Sequence, residues 1–440
     1  MNVLQISTTD GIGGAGRAAR RLHQALASAG VDSHIAAGRV DLGGRNVVGI
    51  PEAAGGLAGQ VLGAERILPR LNRITGEVPF PFPSTRLLER TAIYRRADVI
   101  HLHNLHGGYF DYRVLPRWAA LRPIVWSLHD MWPLSGHCAY SYGCARWRTG
   151  CGSCPLFSPD LKPLDEIAQP PWDNSAAEWR RRDNLYTRTP LTVVAPSRWL
   201  LSLASQSHLA AHPETSFHHV PHGLDSDLYA PTHRPEARRA LGIDPERPAL
   251  VFGSASFKSE RKGFRYLLEA LSEPELRELG LQLLTIGPAD ERVAGRIPEL
   301  HAFGGVSDER SQALIFSAAD LAVVPSLAEN QPLVALEAMS CGTPVVAFAV
   351  GGLPELVRDL ESGLCVPERD SRALARAISR LLGDRELLDR LSDGARRQVL
   401  AEHRLADFAR AYRDVYAGAL HRRRGDPRTN SSRATAPAAE

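Results

Sequence analysis

The chain has 440 residues, 44% apolar and 23% charged, with a formal net charge of +3. That length exceeds one compact core and implies two or three domains, while the composition excludes disorder over most of the chain. So small a charge leaves nucleic acid without a footprint; a local basic face toward a membrane surface stays open.

The opening MNVLQISTTD is strand-like with no basic n-region, so no signal peptide is expected, and no uncharged apolar run reaches membrane-spanning length. A cytoplasmic protein follows, with a peripheral position at the inner membrane face left open. NVLQIST, the glycines from Gly11 to Gly16 and RAARRLHQALASAG read as strand, loop and amphipathic helix. SHIAAG, DVIHLH, PIVWSLHD and LTVVAPS follow as further strands among helical stretches. This alternation predicts a doubly wound parallel sheet. Residues 51–95 break it and read as an insertion with short helices, either packed on the sheet or offered to an acceptor or lipid surface.

The pattern restarts at ALVFGSA and continues through LQLLTIG, DLAVVPS and TPVVAFA. Two Rossmann-like halves are therefore expected, 1–222 with a cysteine-rich loop at 137–155, and 249–400. A Pro- and charge-rich linker over 223–248 joins them. A helix over 401–421 is expected to cross back to the first half, and 422–440, poor in bulky apolar residues, to be a disordered tail.

Residues 320–357 carry the strongest functional signal. Leu321 to Val324 reads as a buried strand, a polar loop containing Glu329 follows, and a helix bearing Glu337 starts near Pro332. Strand end, loop and helix N-terminus form the place where open α/β sheets bind anions. Two carboxylates beside it suit a ligand with both phosphate and hydroxyls, as in a nucleotide sugar. Lys258, Arg261 and Lys262 follow the strand ALVFGSA, where cations can neutralise a leaving diphosphate, although a solvated charge run is the plain alternative. Gly11, Gly13 and Gly16 satisfy GxGxxG, which fits a dinucleotide oxidoreductase or a tight β–α turn without ligand. The acidic residue that would support a nicotinamide cofactor is not evident, since Gly38 and Arg39 fill that region and Asp41 comes late.

GGAGRAA, DVIHLH, SLHD, PSRWL, VPHGLD, RKG, AADLAVVPS, the E-x7-E pair and EAMSCGTPVVAFAVGGLPELV together resemble the family 4 retaining glycosyltransferases of the GT-B fold. The resemblance runs over nearly the whole chain. It implies an α/β architecture of two Rossmann-like domains facing a cleft that holds the donor, and transfer with retention, without a catalytic metal. It further implies that Glu337 holds the ribose hydroxyls, Glu329 lies by the transferred sugar and Lys262 grips the diphosphate. His129 matches the family's histidine near the reacting sugar, and Gly14 the loop approaching the phosphates. Asn330, Gln331 and Leu333 complete the donor-binding set. Three positions depart from the family pattern. Ser256 replaces an arginine for which Lys258 or Arg261 can substitute, Asn330-Gln331-Pro332 replaces G-F-G, and His222 replaces an asparagine. The Asp225-Ser226-Asp227 triplet looks like a metal-binding motif but reads as a solvated turn.

Four of the six cysteines, Cys138, Cys144, Cys151 and Cys154, fall within seventeen residues. In a reducing compartment this density favours a structural tetrahedral Zn²⁺, with reduced thiols or two disulfides as alternatives; His137 could replace one thiol. A branch resembling the colanic-acid-type exopolysaccharide transferases carries a similar block. Cys341 and Cys365 read as core residues. The expected partners are a nucleotide-sugar donor and a glycan or lipid-linked acceptor. A nicotinamide-dependent oxidoreductase and a non-catalytic zinc-stabilised scaffold stay as alternatives.

Overall fold

Runs such as LTVVA, LAVV and VVAF carry branched apolar residues at successive positions, which suits strands covered by helices on both faces. The computed structural model, which describes residues 1–53, 82–157, 172–254, 256–287 and 299–425, shows such strands in two sheets. The first has seven strands: β1 (Asn2–Thr9), β2 (Asp32–Arg39), β3 (Val47–Gly49), β4 (Val99–Leu102), β5 (Ile124–Ser127), β6 (Leu191–Ala195) and β7 (Ser216–His219). Their order is β3-β2-β1-β4-β5-β6-β7, parallel throughout. The second has six: β8 (Ala249–Gly253), β9 (Gln282–Ile286), β10 (Leu300–Ala302), β11 (Leu321–Val324), β12 (Val345–Phe348) and β13 (Gly363–Val366). It runs β10-β9-β8-β11-β12-β13, again all parallel. The order reverses between β1 and β4, and between β8 and β11, which are the switch points where such sheets open to ligands.

Among the described residues, one compact unit runs to Val220 and resumes at Ala406; the other is Pro221–Leu405. The core of the first is built on Trp118, Trp126 and Tyr186, each fully buried.

Several expectations need correction. The stretch 223–248 is not a free linker: Arg234–Leu241 is a helix belonging to the second unit. Asp320, at the start of β11, holds it there. Its Oδ2 accepts from Arg238 Nη2 at 2.6 Å and from the Ala249 amide at 2.8 Å, and its Oδ1 pairs with Arg234 at 3.2 Å. The last helix spans Leu405–Gly425, longer at its end than expected. Tyr412 shares a hydrogen with Ser127 Oγ at 2.6 Å, and Tyr416 with His101 Nδ1 at 2.7 Å. Arg422 donates to Thr192 and Ser216, and Arg423 to the carbonyls of Ala119 and Ala120, so the helix does not stop at residue 421. The remainder of the expected tail, and most of the 51–95 insertion, lie outside the described residues; Ile50–Ala53, Pro83–Leu88 and Ala92–Arg96 are short helices. Cys365 is half-buried at the sheet edge rather than in the core, while Cys341 is buried.

Asp320→Ala would leave Arg238 buried without its carboxylate. The expected cost is about 3–5 kcal/mol of stability, read as a lower denaturant midpoint in the full chain; a midpoint equal to wild type would refute that role.

Candidate functional site

In the second unit the chemistry gathers past β8 and β11. Leaving β11, the chain turns at Pro325 and runs through Ser326 to Glu329. Two glycines at positive φ let the backbone close around that loop. A Cβ on Gly263 (φ 67°) would sit 1.7 Å from the Pro325 carbonyl oxygen, and one on Gly351 (φ 57°) 1.9 Å from that of Glu329. The Leu327 amide donates to the Arg261 carbonyl at 2.8 Å, and the Gly352 amide to that of Glu329 at 3.1 Å.

This places Glu329, which is buried, against two cations. Its Oε1 accepts from Lys262 Nζ at 2.6 Å, Arg261 Nη1 at 3.2 Å and Ser326 Oγ at 3.1 Å. Burial alone would raise this carboxyl, but Lys262 and Arg261, with the hydrogen bonds from Lys262 and Ser326, hold it below its ordinary value. Glu329 is therefore an anion, and Oε2 takes none of these bonds.

The structure thus brings Arg261, Lys262 and Glu329 together and leaves Lys258 exposed on the preceding loop. Asn330 is buried and Gln331 half-buried. Gln331 Oε1 accepts from the His222 amide at 2.6 Å, so two positions that depart from the expected pattern contact each other. The helix Leu333–Ser340 begins with Pro332 at its N-cap and no capping side chain; Leu333 and Glu337 lie on it, Glu337 at 1% exposure. Asp225 accepts from the Asp227 and Leu228 amides in an exposed turn.

In the first unit the glycine loop leads into the helix Gly13–Ser28, whose N-cap, Ile12, offers no side-chain oxygen. A Cβ on Gly16 would meet Thr9 Oγ1 at 2.2 Å, whereas nothing lies within 4 Å of one on Gly14. Gly16 serves packing and Gly14 opens outward. The acidic residue a nicotinamide cofactor needs is not offered. β2 ends in Arg39, whose guanidinium holds Asp41 at 2.7 Å. Asp10 is spent on the amides of Asp41, Leu42 and Gly43.

His129, two residues past β5, ends a buried relay that sequence reading missed. His23 Nε2 faces the Arg45 carbonyl at 3.3 Å, and a carbonyl can only accept. His23 Nδ1 must then accept from Ser33 Oγ at 3.0 Å, and Ser33 Oγ from Gln5 Nε2 at 2.9 Å. Gln5 Oε1 therefore accepts from His103 Nε2 at 2.8 Å, and His103 Nδ1 from His129 Nε2 at 3.0 Å. With a neutral His103 the direction is set at every link. His129 carries its proton on Nε2 and its lone pair on Nδ1. Burial lowers His129 to about 4, and it lowers His101 to about 3, so both are neutral near pH 7. Beside them His106 Nε2 meets Asp130 Oδ2 at 2.9 Å. The available signal was Gln5, a polar residue inside an apolar central strand, and the alternation of His101 and His103.

The cysteines of 138–154 are free thiols, Cys138 buried and the other three half-buried. Among the described residues, no three His, Cys, Asp or Glu side chains already converge as metal ligands.

Gln5→Met should remove the acceptor of His103 and release the tautomer of His129. ¹⁵N imidazole shifts are expected to move from the Nε2–H pattern toward a mixture; an unchanged spectrum would refute the relay. Because the unfolded chain titrates near 6.5 and folded His129 near 4, the unfolded state binds protons first as pH falls. Stability should therefore be intact above pH 6.5 and decline toward pH 4, a trend that denaturant midpoints at pH 7 and 4.5 would read.

A family model of glycosyl transferases group 1 matches residues 247–384, and one of glycosyltransferase family 4 matches residues 12–228. A D-inositol 3-phosphate glycosyltransferase of Streptomyces bingchenggensis is 32% identical over 339 residues, 71% of this chain and 70% of that one. A protein of the same name from Geodermatophilus obscurus is 40% identical over 209 residues, and the match spans 44% of this chain and 45% of that one. Among solved structures, sucrose-phosphate synthase from Thermosynechococcus elongatus gives a TM-score of 0.67 at 22% identity, covering 95% of this chain and 100% of that one. That likeness bears on the fold, which is GT-B as expected. The chain belongs to the group 1, family 4 glycosyltransferases.

Proposed function

We propose that the chain moves a sugar from a nucleotide-sugar donor to an acceptor hydroxyl with retention of anomeric configuration. The carrying observation is the Arg261–Lys262–Glu329 cluster at the switch point of the second sheet, with the N-terminus of Leu333–Ser340 beside it in sequence. Two cations and one anion leave a net positive charge, which suits a diphosphate. Lys262, Arg261 and the Leu333 amide stabilise the leaving phosphates, Glu337 takes the ribose hydroxyls, and Glu329 Oε2 takes a hydroxyl of the transferred sugar. Asn330 and Gln331 line the same donor. His129 Nδ1 is the acceptor for a sugar hydroxyl hydrogen, its orientation fixed by His103.

In the transfer the bond from the anomeric carbon to the diphosphate oxygen breaks, and a bond to the acceptor oxygen forms on the same face. The acceptor proton passes to an oxygen of the leaving phosphate, so no second carboxylate pair is required. The acceptor we favour is a glycan or lipid-linked glycan of cell-surface polysaccharide, for which the cysteine block is the support. A phosphorylated polyol is the second reading, favoured by the name borne by both relatives. Among the described residues no helix is long and apolar enough to cross a membrane, and we place the protein in the cytoplasm, with lipid-linked acceptors reached at the membrane face.

Glu337→Ala is expected to weaken nucleotide-sugar binding by about 1.5–3 kcal/mol in calorimetry with UDP-, GDP- and dTDP-sugars. Unchanged affinity would remove Glu337 from the site, and binding of NADH in place of every sugar nucleotide would overturn the reading. Lys262→Ala should lower kcat by about 10²–10³-fold by removing one fixed cation from the leaving group. Incubating the bound donor with D-inositol 3-phosphate and with a polyprenyl-diphosphate oligosaccharide decides the acceptor, and the anomeric proton coupling of the product decides retention.

A further inference from the structure

The cysteine loop takes no part in that chemistry, yet it is ordered in a way its own sequence hardly supports. Between Gly136 and Phe157 the only regular elements are two single-turn helices, Arg146–Arg148 and Pro155–Phe157. Irregular loops of this length inside a compact unit are uncommon unless something ties them. Backbone bonds anchor the flanks: the Met131 amide donates to the Ala139 carbonyl at 2.7 Å, and Ser135 Oγ to that of Cys138 at 2.7 Å. Trp179 Nε1 donates to the Trp147 carbonyl at 2.7 Å, and the Gly152 amide to Ser175 Oγ at 3.1 Å.

The centre is different. Cys138, Cys144, Cys151 and Cys154 all line one cavity of about 20 Å³, with His137 and Arg146. A space of that size takes one water or one ion. The C-x2-C turn has positive φ at Gly150 (137°), Cys151 (53°), Gly152 (90°) and Ser153 (44°). Two of these are not glycine, at a cost on the order of 1 kcal/mol each that some interaction must offset. The Gly136 amide donates to Cys151 Sγ at 3.3 Å.

We propose that these four cysteines bind one Zn²⁺. Uptake converts four thiols to thiolates, releases four protons to solvent and draws the side chains, which do not yet converge, to the tetrahedral distances zinc demands. Thiolates select this ion over Mg²⁺ or Ca²⁺. Arg146 at the rim partly balances the resulting charge. Four protein ligands leave no open position, so the metal ties the loop and activates no water. It fastens the segment that begins directly after His129 and Asp130.

The deciding measurement is the metal content of the full chain purified without chelator, then dialysed after exposure to Zn²⁺ alone. About one zinc per chain is expected, released as the thiols are titrated with a mercurial. Cys151→Ser and Cys154→Ser should each lower it at least several-fold, while Cys365→Ser should leave it unchanged. Substoichiometric zinc in the wild type, or an intact mass short by four hydrogens from two disulfides, would overturn the proposal. Zinc lost equally in Cys365→Ser would overturn the assignment of ligands. None of these readouts uses donor or acceptor, so the result stands apart from the transferase reading.

Discussion

A parallel strand can be re-entered only from the end where its neighbour began, and that constraint arranges everything chemical in this molecule. Each crossover delivers a loop to the carboxyl edge of its sheet and a helix to its face. The loops after β1, β4 and β5 therefore bring Gly14, His103 and His129 to one edge of the first sheet. Those after β8 and β11 bring Arg261, Lys262 and Glu329 to the matching edge of the second. Residues far apart in sequence become neighbours because the sheet order reverses between the strands that carry them.

Electrostatic order follows from burial. Glu329 is charged because two cations and a hydroxyl share one of its oxygens; without them the same burial would neutralise it. The histidines of the first unit show the opposite outcome. Here burial outweighs the Asp130 carboxylate, which favours a charged His129, so His101 and His129 stay uncharged and act through the direction of their hydrogen bonds. The loop after β11 presents fixed charge, and the buried chain behind His129 fixed dipoles.

How much of this the sequence disclosed depends on where each strand lies. The strands read from apolar runs are those with a neighbour on both sides. The four that went unread, β3, β7, β10 and β13, are the four edges, where SFHH or LHA needs only one partner and shows little apolar pattern. The helix Arg234–Leu241 looked like linker because its polar residues dominate; what fixes it lies far off in sequence, the carboxylate of Asp320, eighty-two residues beyond Arg238, and the Ala318 carbonyl. Glu329 and Lys262 were legible because loop and strand end are local signals. The relay behind His129 was not, because Ser33, Gln5 and His103 meet only through the pairing of β2, β1 and β4. Nor does spacing reveal that Glu329 would be engaged by both cations.

The relay has a property that its distances alone do not express. Imidazoles and hydroxyls can pass a proton along a chain, since each can accept on one side and release on the other. The carboxamide of Gln5 cannot do so without becoming an imidic acid. It conducts orientation and blocks charge. Along this chain a proton handed from His129 to His103 stops at that amide, while orientation continues through it to Ser33 and His23.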